Sequence, residues 1–350
     1  MNDGTYSYNY DNIGNRNTAQ EITDEITNCT ANNLNQYTAI GDFAPTYDAA
    51  GNQTLVKTTT GIWTVAYDAE NRPVSFTNAE TNTVIECAYD HMGRRATKKV
   101  TVNGVVTLHH RYLYRGFLQI ACCDLTRSNH PALWLITWDP TQPIATRPLT
   151  IQKDGTWYTY GWDLTKNICE LYGTNGYIRT AYTYSPYGEV TESANSIYQP
   201  IQWSSEYNET ELGLVYYNYR HYNPMEGRWI GRDKELNNNL YEYINNSTVL
   251  LADTLGLKYI LNETPEVLEV PKWALKGAIG GFLIRRGGIP GVNFITYPCL
   301  HKVEVPTVNI TGTIKLIKEE EYLTTLFYLI EDRQNIHLSV EHAKEYEKKS

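Results

Sequence analysis

Residues 89–95 read Tyr-Asp-His-Met-Gly-Arg-Arg, and this short pattern decides the fold because it occurs three more times. The other copies are Tyr10-Asp11-Asn12-Ile13-Gly14-Asn15-Arg16, Tyr47-Asp48-Ala49-Ala50-Gly51-Asn52 and Tyr67-Asp68-Ala69-Glu70-Asn71-Arg72. In a tight turn, aspartate accepts hydrogen bonds from the backbone that follows it, and glycine or asparagine tolerates the positive φ that the turn needs. Each copy therefore predicts the turn of a β-hairpin.

The residues on either side of these turns alternate with a period of two. The alternating positions are Tyr6, Tyr8 and Tyr10 before the first turn, and Thr54, Val56 and Thr58 after the second. Tyrosine, threonine and valine favour strands, and this period is typical of hairpins. Because the copies recur at irregular intervals of roughly 20 to 35 residues, we predict an array of hairpins and not a single sandwich.

The motif resembles the YD repeats of the RHS family, whose eukaryotic relatives are the teneurin YD-shells. The resemblance continues through Tyr112-Leu113-Tyr114-Arg115-Gly116, residues 162–167 and Tyr182-Thr183-Tyr184-Ser185-Pro186-Tyr187-Gly188. Its most specific part is residues 213–224 with Glu226-Gly227-Arg228-Trp229, followed by Asp253-Thr254-Leu255-Gly256-Leu257. That string resembles the RHS repeat-associated core, which ends in a DPxGL signature. The resemblance implies a mainly β fold, a spiral array of antiparallel hairpins. Because roughly 250 residues of strand are too few to enclose a cavity for a folded domain, we expect an open, partial shell.

The composition changes at the end of this resemblance. Of the 29 tyrosines, 24 precede Lys258, and seven of the eight tryptophans do so as well. The net charge of −9 also belongs to the first part, because residues 258–350 carry 12 Lys/Arg and 12 Asp/Glu. We therefore predict a repeat shell over 1–200, the core over 201–257 and a variable C-terminal domain over 258–350. For that domain, periodicity predicts an α+β fold with helices over 319–332 and 334–349.

The resemblance also implies chemistry in the core. Members of the family cleave themselves directly after the leucine of DPxGL, which here is the bond between Leu257 and Lys258. Two core aspartates are thought to act as an aspartyl-protease-like pair, and the matching positions are Asp233 and Asp253. Such a pair shares one proton, so that one carboxyl serves as base and the other as acid. Arg228 matches the family's GRF arginine, and it would orient or neutralise a carboxylate.

The sequence departs from the family pattern at both aspartates. Asp233 is followed by Lys234-Glu235-Leu236, and Asp253 is followed by Thr254, so both DPxG prolines are missing. The aspartate of the family's YYDP is Asn223 here. Because proline fixes φ and glycine permits close approach, these losses loosen the geometry. The alternative interpretation is that Asp233 and Asp253 only cap turns.

One group in the C-terminal domain has the spacing of metal ligands. His337, Glu341 and Glu345 would lie on one face of the predicted helix, where a histidine and carboxylates can hold a divalent ion. The alternative is a solvated helix face whose carboxylates pair with lysines. We predict no cofactor, and the six cysteines have no zinc-type spacing and no disulfide framework.

Together these patterns predict the C-terminal part of a bacterial RHS polymorphic-toxin-type protein, whose shell encloses or presents the C-terminal domain as an effector. The expected partners are upstream shell segments or delivery machinery, and an immunity protein for the effector. The alternatives are a non-enzymatic cell-surface scaffold whose tyrosines bind glycans, and a displaced, degenerate RHS cassette. The acidic repeat segment argues against a nucleic-acid partner.

The sequence gives a limited expectation of location. No signal peptide opens the chain, and the longest apolar run, residues 273–284, is too short to span a bilayer. The family context implies a secreted or cell-surface protein. We therefore expect this chain to be cytoplasmic before export by another system.

Overall fold

A computed structural model describes residues 6–21, 25–140, 147–233, 238–248 and 251–254, with short segments at 258–261, 309–310, 316–319, 322–325 and 336–337. The chain divides into two compact units. The first comprises residues 1–160 and 164–260, and the second comprises residues 161–163 and 261–350.

The chain begins with a four-stranded antiparallel sheet, called the first sheet below. Its strands follow the sequence in the order β1 (Tyr6–Tyr10), β2 (Arg16–Glu21), β3 (Ile26–Ala31) and β4 (Tyr37–Ile40). The turn between β1 and β2 holds the first Tyr-Asp copy, so this hairpin is confirmed.

A second sheet of fourteen strands continues the array, again in sequence order. Its strands are β5 (Thr46–Tyr47), β6 (Gln53–Thr58), β7 (Gly61–Tyr67), β8 (Pro73–Asn78), β9 (Thr83–Tyr89), β10 (Arg95–Val102), β11 (Val105–Arg115), β12 (Leu118–Asp124), β13 (Ala132–Trp138), β14 (Pro148–Lys153), β15 (Thr156–Trp162), β16 (Ile168–Tyr172), β17 (Ile178–Tyr184) and β18 (Val190–Asn195). Every neighbouring pair with a described register is antiparallel. The predicted mainly β array of hairpins is therefore confirmed.

The aspartate of each Tyr-Asp copy organises its turn as expected. In the copy at Asp90, one carboxylate oxygen accepts hydrogen bonds from the backbone N–H of Met92 at 2.9 Å and of Arg94 at 3.1 Å. Gly93 takes a positive φ of 79°, and Asn71 takes the equivalent position of its own copy at 62°. The side chain of Arg94 returns to the other carboxylate oxygen at 2.8 Å, which fixes the turn further.

The tyrosines of two copies, Tyr67 and Tyr89, join one hairpin to the preceding one. The hydroxyl of Tyr89 donates a hydrogen bond of 2.7 Å to the carbonyl oxygen of Pro73, five residues after the preceding aspartate Asp68. The same contact recurs elsewhere, as Tyr67 to Gln53 at 2.8 Å, Tyr114 to Arg95 at 2.9 Å and Tyr184 to Ile168 at 2.7 Å. The motif therefore supplies both a turn and a cross-link to the hairpin before it.

The segment after the array, residues 199–248, is called the core segment below. It contains 3₁₀ turns at Trp203–Ser205 and Ile244–Asn246 and a four-stranded sheet of β19 (Tyr207–Glu209), β20 (Leu214–Tyr217), β21 (Arg220–Asn223) and β22 (Arg228–Trp229). Its interior is a cluster of buried aromatic and aliphatic side chains, Trp203, Val215, Tyr217, Tyr222, Trp229, Tyr243 and Ile244. Leu212, Leu214 and Ile230 pack instead on apolar side chains of the second sheet.

The core segment also bonds to the turns of the early hairpins. Asn246 donates to the carbonyl of Gly14 at 3.1 Å, and Asn239 donates to that of Ile13 at 3.1 Å. The hydroxyl of Tyr241 donates to the carbonyl of Gly51 at 2.6 Å. The partners in these contacts are about 190 to 232 residues apart in the sequence. The core segment therefore holds the turns at Gly14 and Gly51 in place.

A buried ionic cluster provides a second attachment of the core segment to the array. Glu209 on β19 is fully buried between Arg95 and Lys98, both on β10 and both 1% exposed. Lys98 also contacts Glu211 at 2.8 Å. These charges lower the pKa of Glu209 to about 2, although burial alone would raise it. Glu209 therefore stays ionised through the neutral and mildly acidic range.

After the core segment, β23 (Leu251–Thr254) pairs with β24 (Lys258–Leu261). In the second unit, β25 (Asn309–Ile310) pairs with β28 (Ile336–His337), and β26 (Leu316–Glu319) pairs with β27 (Tyr322–Thr325).

The predicted helices are wrong where the second unit is described, because residues 322–325 and 336–337 are strands. The segment Tyr-Leu-Thr-Thr at 322–325 is rich in residues that favour strands, and a strand lies directly before it for pairing. A short apolar run fits both the helical and the strand period, so periodicity alone does not distinguish a helix from a strand here. The remainder of both predicted helices lies outside the described residues.

Candidate functional site

Both predicted catalytic aspartates contact one arginine. Nη1 of Arg220 lies 2.8 Å from Oδ2 of Asp233, and Nη2 lies 3.8 Å from Oδ2 of Asp253. All three side chains are withdrawn from solvent, with 5% of Arg220, 14% of Asp233 and 4% of Asp253 exposed. Two carboxylates separated by twenty positions in the sequence therefore share one guanidinium.

The local fold explains why Arg220 points to this place. It opens β21, directly after the tight turn that pairs Tyr217 with Arg220. Its guanidinium lies 4.1 Å from the centre of the Trp229 ring, an arrangement in which a cation is attracted to the aromatic face. On the opposite side, the backbone N–H of Asp233 donates to the carbonyl of Leu240 at 2.8 Å. Arg220 and Asp233 are thus each positioned by a contact other than the ion pair between them.

The strand that carries Asp253 also leads to the predicted cleavage bond. Asp253 lies on β23, and the strand paired with it, β24, begins at Lys258. Paired strands lie about 4.7–4.9 Å apart. Lys258, the residue after the predicted cleavage bond, therefore begins the strand beside the one that holds Asp253, and residues 255–257 lie outside the described residues.

A cavity of about 150 Å³ adjoins the ion pair. Asp233, Arg220 and His221 line it from the core segment, and Tyr67 and Pro73 line it from the array. Its volume is enough for several water molecules. Asp233 is therefore the aspartate of the pair that faces a space in which a water molecule fits.

His221 lies at the same cavity, but its protonation state makes it a poor acid or base. Burial lowers the pKa of His221 to about 3, Glu209 raises it in part, and Arg95 and Lys98 lower it. The imidazole is therefore neutral near physiological pH. Its ring packs against Phe76 at 5.5 Å and Tyr216 at 5.1 Å, which are contacts of a packing residue.

A third carboxyl, that of Glu206, interacts electrostatically with Asp253. Burial raises the pKa of Glu206 well above its usual range, Lys166 lowers it, and Asp253 raises it. Burial therefore favours the protonated form of Glu206, a carboxyl that interacts with Asp253.

Arg228, the arginine expected to orient the aspartates, has other partners. Its Nη2 donates to the carbonyl of Asn35 at 2.7 Å and to the side-chain oxygens of Asn15 and Asn239 at 3.2 Å. Its guanidinium stacks 4.0 Å from the centre of the Tyr37 ring. Arg228 therefore ties the core segment to the first sheet. Sequence reasoning missed Arg220, although that residue lies in the same core motif, eight positions earlier.

The remaining predicted site residues are placed as follows. Asn223, which replaces the family's aspartate, is fully buried and donates to the carbonyl of Lys57 at 2.9 Å. His337 lies in β28 opposite Asn309, whereas Glu341 and Glu345 lie outside the described residues. Within the described ranges, no group of three or more histidine, cysteine, aspartate or glutamate side chains is arranged to hold a metal ion.

The five cysteines in the described part of the chain are free thiols, namely Cys29, Cys87, Cys122, Cys123 and Cys169. No helix there has both the length and the apolar character required to cross a membrane.

Hairpin turns built on Tyr-Asp, joined by tyrosine hydroxyls and packed on a C-terminal core segment, define a YD-repeat protein. A family model described as the teneurin YD-shell matches residues 1–253. Because this match covers well over half of the sequence, the chain belongs to the teneurin YD-shell family.

Two curated relatives are bacterial. The chain is 28% identical over 269 residues to the tRNA3(Ser)-specific nuclease WapA of Bacillus spizizenii and to the tRNA nuclease WapA of Bacillus subtilis. Each alignment covers 73% of this chain and 11% of the relative, so the chain spans about a tenth of their length.

Solved structures show the same fold. The crystal structure of TcdB2-TccC3-Cdc42 matches with a TM-score of 0.58 at 21% identity, over 72% of this chain and 13% of that one. TcdB2-TccC3-TEV matches with a TM-score of 0.58 at 20% identity, over 72% and 13%. At these identities the likeness concerns the fold alone.

Proposed function

We propose that this chain is the C-terminal part of an RHS toxin-type protein, in which a YD-repeat shell and its core release residues 258–350 as an effector by cutting after Leu257. The observation that carries the proposal is the meeting of Asp233 and Asp253 at Arg220. Aspartates that only capped turns would have no reason to converge on one buried cation.

The proposed reaction is hydrolysis of the peptide bond between Leu257 and Lys258. Asp233 faces the cavity, so it takes a proton from a water molecule there while the water oxygen attacks the carbonyl carbon of Leu257. Asp253, which carries the one proton of the pair, gives it to the nitrogen of Lys258, and the bond breaks into a carboxylic acid and an amine, so that the proton taken from water remains on Asp233. Arg220 positions both carboxylates and offsets their mutual repulsion.

The relatives support the wider role. The WapA proteins that the chain resembles are named as tRNA nucleases, which gives precedents for an effector in a protein with such repeats. We therefore infer an exported or cell-surface protein, delivered with further shell segments or a delivery apparatus, and an immunity protein that protects the producer.

Intact-mass measurement of the purified chain tests the cleavage. We expect two fragments that meet between Leu257 and Lys258, and a single species of 40.1 kDa for Asp233→Asn, Asp253→Asn and Arg220→Met. Asp154→Asn is the matched control, because it makes the same chemical change at an exposed turn and should leave cleavage intact. An unbroken wild-type chain would mean that the aspartates serve structure alone.

A growth experiment tests the effector separately. Bacteria that express the full chain should grow more slowly than bacteria that express the chain ending at Leu257. Equal growth of the two cultures, with both proteins present at equal levels, would contradict the effector role without affecting the cleavage result.

A further inference from the structure

The cavity that Asp233 faces is lined by a second polar residue of the core segment, His221. The backbone carbonyl of His221 accepts a hydrogen bond of 3.1 Å from the N–H of Ile230. Ile230 lines the cavity too, and it lies three positions before Asp233. The strand that carries His221 is therefore fixed against the segment that leads to Asp233, and both residues reach the same space of about 150 Å³.

The ring of His221 is held in one place by its aromatic neighbours. Its centre lies 5.5 Å from that of Phe76 and 5.1 Å from that of Tyr216, and only 1% of the residue is exposed. The hydroxyl of Tyr216 accepts a hydrogen bond of 2.8 Å from the backbone N–H of Arg95. The rings beside His221 therefore fix its orientation, but its nitrogen atoms need other partners.

Neither ring nitrogen of His221 has a hydrogen-bond partner among the described residues. A buried polar atom without a partner costs free energy, because it has lost its hydration and gained no bond. Burial lowers the pKa of His221 to about 3, so the ring is neutral and has one N–H donor and one acceptor nitrogen. The polar cavity beside it has room for several water molecules, which supply both kinds of partner.

We propose that His221 positions the water molecule that attacks the peptide bond: its acceptor nitrogen and the carboxylate of Asp233 hold the two hydrogens of one water molecule in the cavity. The role of this water rests on the proposed self-cleavage, whereas its position between the two side chains does not.

This arrangement fits the chemistry of the proposed hydrolysis. A water molecule whose two hydrogens are both engaged presents its oxygen lone pairs to the remaining space, as nucleophilic attack requires. When Asp233 takes one hydrogen as a proton, the other stays on the oxygen and ends in the new carboxyl group of Leu257. His221 neither gains nor loses a proton, so a neutral imidazole suffices, and its task is to orient the water that Asp233 activates.

The alternative is that His221 only fills the space between Phe76 and Tyr216. Two substitutions separate these roles, because each preserves a different part of the residue. His221→Phe keeps an aromatic ring and removes both nitrogens. His221→Gln loses the ring and restores a donor and an acceptor.

Cell-free synthesis of the full chain, with the intact fraction followed on gels over time, measures the rate of cleavage after Leu257. His221→Phe should slow cleavage about tenfold to a hundredfold, because the water loses one of the two contacts that place it. His221→Gln should recover most of the wild-type rate. A packing role predicts the reverse order, so a His221→Gln chain that is cleaved no faster than His221→Phe would overturn the proposal.

His110→Phe and His110→Gln are the matched controls. Nδ1 of His110 is also buried without a partner in the described part of the chain, and the ring packs 5.5 Å from that of Trp134. His110 is not among the residues that line the cavity. Both control variants should therefore be cleaved at the wild-type rate.

A crystal structure of the full chain with Asp233→Asn tests the position of the water without relying on cleavage. We expect a water molecule at about 2.6–3.2 Å from a ring nitrogen of His221 and from the side chain at position 233. An unbroken wild-type chain would contradict the proposed function, and this structure would still decide whether His221 holds a water. A cavity in which no water bridges the two side chains would overturn the inference, also where a His221 variant does not fold.

Discussion

At the scale of single residues, the tyrosine of the motif has a defined task. At Tyr67 and Tyr89 its hydroxyl donates to one carbonyl of the preceding hairpin, and both bonds are partly buried. A sugar-binding surface would need exposed rings, whereas most of the motif tyrosines are half-buried or buried. Tyrosine therefore suits these positions because it combines a large packing surface with a polar tip.

The substitution Tyr89→Phe tests this task. It leaves the ring in place but removes the bond to Pro73, so the buried carbonyl loses its partner. We expect the free energy of unfolding to fall by about 1–2 kcal/mol. Denaturant unfolding followed by tryptophan fluorescence would measure it. Tyr177→Phe, at a tyrosine that is 72% exposed, should change it by less than about 0.5 kcal/mol, and similar losses in both variants would contradict the assignment.

The sequence predicts such residues well when their partners are near in the chain. Asp90 and Gly93 act within one turn, so their roles follow from local chemistry alone. Sequence reasoning selected Arg228 because it matches the family's GRF arginine, whereas the contact to both aspartates belongs to Arg220 in the same motif. The partners of Arg220 lie 13 and 33 positions away in the sequence, so no local pattern indicates the contact.

At the scale of the element, each hairpin turn is a self-contained unit held by one aspartate. In the copy at Asp68, the carboxylate accepts from the backbone of Glu70 at 2.9 Å and of Arg72 at 3.0 Å, and from the side chain of Arg72 at 2.8 Å. These bonds lower the pKa of Asp68 against the opposing effect of burial. The turn thus depends on the ionised carboxylate.

Replacing this aspartate should therefore destabilise the array. We expect Asp68→Ala to reduce the free energy of unfolding by about 1–3 kcal/mol, because three donors lose their acceptor. Thermal unfolding monitored by circular dichroism would measure the change. Glu70→Ala is the control, since Glu70 is 66% exposed and its pair with Arg72 should contribute less than about 1 kcal/mol. A larger loss in the control than in Asp68→Ala would be inconsistent with this account.

The sequence predicts the hairpins better than it predicts where one sheet ends and the next begins. The Tyr-Asp copies indicate a continuous array, but the structure divides it between β4 and β5 into two sheets. The sequence of this connection, residues 41–45, has no repeat motif to mark the division. In the second unit, helical periodicity at residues 322–325 competed with strand propensity, and pairing with a neighbouring strand decided the outcome.

At the scale of the whole first unit, the core segment contacts hairpins of both the first and the second sheet. Its buried Glu209 bonds to Lys98 at 2.9 Å and forms an ion pair with Arg95 on the same strand. Removing one member of a buried ionic group leaves the other charges uncompensated, which costs more than the group contributes when complete.

The variant Glu209→Gln should accordingly lose about 3–5 kcal/mol of unfolding free energy, because two buried cations remain. Glu211→Gln should lose less, since Glu211 is 29% exposed and contacts only Lys98 in this cluster. Urea unfolding of both variants at pH 7 provides the comparison. Stability of Glu209→Gln within about 1 kcal/mol of the wild type would show that the cluster does not attach the core segment.

The tyrosine bonds between hairpins also have a temporal consequence. Each hydroxyl reaches back to a carbonyl that precedes it by 14 to 19 residues, as at Tyr67, Tyr89 and Tyr114. During synthesis, every new hairpin therefore finds its acceptor already outside the ribosome, and the array can lengthen in the order in which it is translated. The turns at Gly14 and Gly51 must wait, because the residues that complete them are made about 190 to 232 positions later. The earliest part of this shell is thus the last to be finished.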